Sequence, residues 1–111
     1  MKKIIKKLEK ANISVHEYEE GGKLCGYELN TYTNGGLNQI VFVDFRNSDK
    51  DPKKAKDFKE EFLNRVKDID VDEEVELNRQ NAQYRKDFTL RESLDDIQEW
   101  KEDIVKLAES L

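Results

Sequence analysis

Residues 13–45, ISVHEYEEGGKLCGYELNTYTNGGLNQIVFVDF, decide the fold. Three runs rich in β-branched and aromatic residues, Ile13–Glu19, Leu24–Tyr32 and Gln39–Phe45, are separated by Gly21-Gly22 and by Asn34-Gly35-Gly36. Gly-Gly and Asn-Gly supply the positive φ angles that tight hairpins require. Neither connection is long enough for the crossover that parallel strands need, so the spacing predicts an antiparallel meander. With regular pairing, His16, Tyr18, Cys25, Tyr27, Leu29, Ile40 and Phe42 share one face. Val15, Leu24, Val41, Val43 and Phe45 share the other. The third strand is thus apolar on both faces. Either a helix covers each face, or part of one face meets a partner.

Helical periodicity flanks the meander. On its amino-terminal side Met1, Ile4, Ile5, Leu8 and Ala11 form an apolar stripe, with Lys2, Lys3, Lys6, Lys7 and Lys10 on the opposite arc. Asn12, which tolerates a left-handed backbone, stops that helix. On the carboxyl side Asp51-Pro52 opens a helix whose inner stripe is Ala55, Phe58, Phe62, Val66 and Ile69. Asp70 caps a shorter helix, with Glu73 in the reciprocal position and Val71, Val75 and Ala82 inward. Thr89 and Glu92 repeat that box before a last helix carrying Leu90, Leu94, Ile97, Ile104, Ala108 and Leu111. The expected order is α-β-β-β-α-α-α, a single α+β domain over residues 1–111.

Composition narrows the function classes. The 111 residues are 41% charged and 36% hydrophobic, with a formal charge of −5. Leu, Ile, Val and Phe still make up about a quarter of the chain, above the roughly 20% below which chains tend to stay unfolded. No apolar run approaches the length of a membrane span, and the Lys-rich start lacks the apolar centre of a signal peptide. The single Cys cannot close an internal disulfide, which points to a reducing, intracellular setting. Charge is unevenly spread. Residues 1–10 carry +4, residues 11–46 carry −3, residues 47–70 balance, and residues 71–111 carry −6.

Two acidic concentrations dominate the carboxyl part. Asp68, Asp70, Asp72, Glu73, Glu74 and Glu76 follow one another with no base among them. Glu92, Asp95, Asp96, Glu99, Glu102 and Asp103 recur at three- and four-residue spacing, within an arc of about 120° opposite the apolar stripe. Capping and the helix macrodipole account for Asp70, Glu92 and the first-turn acids Asp72, Glu73 and Glu74. They do not account for the rest of the stripe, whose like charges repel by about 0.2–0.5 kcal/mol per pair. Six carboxylates over about 16 Å of helix axis come within a factor of two of the charge spacing of duplex DNA.

Other chemistries fit poorly. Asp68, Asp70 and Asp72 open like a calcium loop, but Glu73 stands where glycine is required and Arg79 where a bidentate acid belongs. One His and one Cys cannot supply a zinc site, and His16 with Cys25 lacks a visible oxyanion partner. No phosphate-cradling glycine loop occurs, so no cofactor and no catalytic residue are expected. The amino-terminal lysines lack the arginine and aromatic partners that read or stack bases.

The element order and acidity resemble small anti-CRISPR proteins of phages and mobile elements. Cys25–Gly36 (CGYELNTYTNGG) and Asp70–Ser93, with its Arg79, Tyr84, Phe88-Thr89 and Glu92-Ser93, resemble small open reading frames of bacterial mobile elements. The resemblance implies a non-enzymatic inhibitor in a bacterial cytoplasm. Its carboxylates Asp68–Glu76 and Glu92–Asp103 would meet the basic residues of a nucleic-acid-handling protein, such as a CRISPR effector nuclease. Tyr32 and Asn34 add contacts at the end of the sheet. The alternatives are a protein-interaction module, dimeric through Val41, Val43 and Phe45, and a nucleic-acid binder using the amino-terminal lysines.

Overall fold

Asn12 ends the first helix as its side chain allows. In a computed structural model describing residues 1–81 and 90–111, helix α1 spans Lys2–Lys10 and Asn12 takes φ +62°. The Asn12 and Ile13 amides donate back to the Glu9 and Leu8 carbonyls at 3.0 Å. That pattern closes a left-handed helix cap, with Leu8 and Ile13 buried together beneath it. The chain leaves directly into β1 (Ser14–Glu20), which pairs antiparallel with β2 (Lys23–Tyr32), itself paired with β3 (Asn38–Asp44). Three helices follow: α2 (Ala55–Lys67), α3 (Val71–Asn81) and α4 (Leu90–Ser110). The order α-β-β-β-α-α-α and the antiparallel meander are those expected.

The assignment of sheet faces is corrected by one residue. Gly21 and Gly22 both hold positive φ in the two-residue turn, and Glu20 pairs with Lys23. Extended regularly, that turn would set Tyr18 opposite Cys25 and His16 opposite Tyr27. Instead a bulge at Tyr18/Glu19 leaves Cys25 unpaired, and the register becomes Tyr18↔Gly26, Glu17↔Tyr27, His16↔Glu28 and Val15↔Leu29. One extra residue inverts which side chains share a face. The bulge makes that change against β1; against β3 the turn makes it, Thr33 pairing with Leu37 around Asn34–Gly36. Tyr27 and Leu29 thus share the buried face with Val43 and Val41, while His16, Tyr18, Ile40 and Phe42 remain together on the other.

The helices cover the first of these faces. Tyr27, Leu29, Val41 and Val43 are buried with Phe58, Phe62 and Val66 of α2 and with Ile97, Trp100, Ile104 and Ala108 of α4. The Tyr27 ring meets Phe58 edge-on at 5.2 Å, and its hydroxyl donates to the Pro52 carbonyl at 2.8 Å. Among the described residues the opposite face is open: Ile40 is 54% exposed, and Phe42 is screened by the Tyr18 ring at 5.3 Å and by the Arg46 guanidinium. Asp44 and Glu20 hold that guanidinium through charged hydrogen bonds. The Val41/Val43/Phe45 surface expected for a dimer is core, since those residues lie under the helices.

Further helical boundaries and contacts depart from expectation. Asp51 and Pro52 form a turn before α2, in which Asp51 accepts the Lys53 and Lys54 amides, and the helix begins three residues after Pro52. Asp70 does cap α3, accepting the Glu73 amide at 3.2 Å. Leu94 is 42% exposed, and Trp100 takes the inward position. Ala82, Tyr84, Phe88 and Thr89 lie outside the described residues, and with Thr89 and the Glu92 side chain so does the expected second capping box. Among the described residues no helix is long and apolar enough to cross a membrane.

Candidate functional site

The acidic stripe of α4 arises from helical periodicity, and the fold divides its carboxylates into two groups. Asp96 and Glu99 face the β2–β3 turn: Asp96 Oδ1 accepts the Gly35 amide at 3.3 Å, and Glu99 Oε1 accepts the Asn34 side-chain amide at 2.7 Å. Sequence spacing could not reveal that clasp, because 61 and 65 residues separate the partners. Gly35 permits the approach, since a Cβ there would stand 2.7 Å from Asp96 Oδ2. Asp95, Glu102 and Asp103 form the second group and are exposed. Glu102 accepts only the Gln98 amide, and none of the three makes an ion pair among the described residues. The Glu92 side chain lies outside the described set.

The Asp68–Glu76 concentration sits elsewhere and is largely engaged in local structure. Asp68 is the C-cap of α2, Asp70 caps α3, and Glu76 stands 3.8 Å from Arg79. Glu74 is half-buried, and burial raises its carboxyl above the ordinary value against a smaller opposing pull from Arg65. Asp72 and Glu73 are exposed. Lys101 Nζ donates to the Ile69 carbonyl at 2.6 Å and so tethers the α2–α3 junction to α4. Lys101 and Glu99 point about 160° apart around the helix. Asp68 and Asp70, the chain neighbours of Ile69, therefore lie on the Lys101 flank of α4 and not on the Glu99 flank.

Between the carboxyl end of α1, the end of β2 and α4 runs a groove of about 500 Å³. Tyr32, Asn34 and Asp103, three of the residues singled out in the sequence, line it together with Asn12, Trp100 and Leu107. Trp100, which the helical pattern had not flagged, forms a wall. Its indole N–H donates to Thr31 Oγ1 at 2.8 Å, across 69 residues of sequence. A tryptophan on the inner arc of an amphipathic helix is the signal that could have found it.

The basic helix stands apart from these acids. Among the described residues none of the α1 lysines forms an ion pair; the cations that do are Arg46, Lys50 and Arg79. His16 and Cys25 are not joined either. The thiol donates to the Lys23 carbonyl at 3.3 Å, while His16 stands opposite Glu28. Among the described residues no group of three or more His, Cys, Asp or Glu side chains could hold a metal ion. No family model, curated protein or solved structure matches the chain.

Proposed function

We propose that the protein is a non-enzymatic inhibitor that lays the acidic face of α4 on the basic, nucleic-acid-binding surface of another protein. The DNA-binding groove of a CRISPR effector nuclease in a bacterial cytoplasm is the target class. The observation supporting this reading is the set Asp95, Glu102 and Asp103, exposed and without an ion pair among the described residues. The set spans about 12 Å of helix axis, a length over which duplex DNA presents several phosphates. Repulsion within such a face is relieved when arginine and lysine side chains approach it, and opposite potentials accelerate encounter.

The test is binding to purified effector nucleases across about 50–500 mM salt, a range in which screening shortens markedly. Affinity is expected to fall steeply with salt, and Asp95→Lys with Glu102→Lys is expected to weaken it at least about tenfold. Asp96 and Glu99 are left intact, because reversing them would also release the β2–β3 turn. Salt-insensitive association, or association untouched by the double reversal, would overturn the reading. A gel shift with DNA and RNA belongs beside it: tight binding by the chain alone would favour the α1 lysines as a nucleic-acid surface instead.

A further inference from the structure

We infer that the groove between α1, β2 and α4 receives one arginine side chain of the protein partner. This deepens the docking of α4 on a basic protein surface and rests on that reading. Its warrant is the match between the groove's single carboxylate and aromatic walls and the side chain it would hold.

Among the described residues that line the groove, Asp103 alone is charged. The Trp100 indole N–H is committed to Thr31. The Asn34 amide donates to Glu99, which leaves its carbonyl oxygen as an acceptor. Asp103 lines the groove with no hydrogen bond or ion pair among the described residues. Lys7 and Lys10 lie in the last turn of α1, but neither lines the groove.

A recess whose one charge is a carboxylate disfavours phosphate and carboxylate ligands and fits a cationic side chain. Its walls select further. Trp100 and Leu107 offer carbon surface along which an aliphatic stem can lie. Tyr32, 58% exposed at the rim, presents an aromatic ring to a planar cation. Stacking and two-pronged donation to a carboxylate are properties of guanidinium; the compact, strongly hydrated lysine ammonium lacks both.

Trp100 is the chain's single tryptophan, so its emission reports on this site alone. The full chain is titrated with a short peptide carrying three spaced arginines and with the neutral citrulline twin, followed by calorimetry and by Trp100 fluorescence. Saturable heat with a matching change in emission is expected for the arginine peptide, and silence for the twin. Asp103→Asn, a change at an exposed position, should weaken the arginine peptide at least about tenfold, and Tyr32→Ala should weaken it as well.

Equal responses to both peptides, affinity unchanged in Asp103→Asn, or heat without a change in emission would each overturn the assignment. Its failure is distinguishable from failure of the docking reading. An unresponsive groove beside salt-dependent nuclease binding sinks only the groove. An arginine-specific groove beside salt-insensitive nuclease binding upholds the groove and sinks the docking reading.

Discussion

Glu74 shows how one side chain can couple burial to pH. Its carboxyl is raised above the ordinary 4.5 because folding removes it partly from water. Above that value the folded chain binds more protons than the unfolded one, so stability falls as pH climbs through the raised pKa. The contribution is fully present below the ordinary carboxylate pKa and is lost towards neutrality. Glu74→Gln is therefore expected to raise the urea midpoint at pH 7 and to leave it near wild type at roughly pH 4. Identical midpoints at both pH values would show that burial does not govern this group. A first-turn acid is legible in the sequence as a partner of the helix dipole. Its partial burial is not, because that depends on how α3 seats.

At the scale of the element, the end of α1 and the bulge in β2 behave differently as signals. Asn12 was legible because its side chain tolerates the left-handed region, and it adopts φ +62°. Alanine keeps the Cβ but lacks the short polar side chain that lets asparagine tolerate this region, which costs an ordinary L-residue about 1–2 kcal/mol. Asn12→Ala should lower the thermal midpoint by several degrees, whereas Asn12→Gly should hold or raise it. Equal losses in both variants would mean that the Asn12 side chain, not its backbone angle, secures the cap. The bulge at Tyr18/Glu19 left no comparable mark. Gly21-Gly22 announces a two-residue turn, and regular pairing from that turn gives the wrong partners for Tyr27 and Leu29. Gly26 left no mark either: a Cβ there would collide with the Val43 carbonyl oxygen, so β2 and β3 meet closely at that point.

At the scale of the molecule, helices cover one face of a three-stranded sheet and, among the described residues, leave the other open. Neighbours on β3 report that division. Val41 is 1% exposed and Ile40 is 54% exposed. Val41→Ala should cost about 1–3 kcal/mol through lost burial and the cavity left behind, while Ile40→Ala should stay within about 0.5 kcal/mol. Chemical denaturation of both variants checks it, and comparable losses would mean that the outer face is covered as well. The same architecture separates the charges, with the α1 lysines unpaired among the described residues and the α4 acids split between a clasp on the β2–β3 turn and an exposed set. The sequence by itself determined the element order, the antiparallel meander, the Asn12 and Asp70 caps and the acidic arc of α4. Each follows from local periodicity or from a single residue's backbone preference, and neither needs distant partners. Only the tertiary structure decided which strand face is buried, that Asp96 and Glu99 hold Asn34 and Gly35, and that Tyr32, Trp100 and Asp103 line one groove. Those outcomes rest on register and on contacts between residues far apart in the chain, which local pattern does not encode.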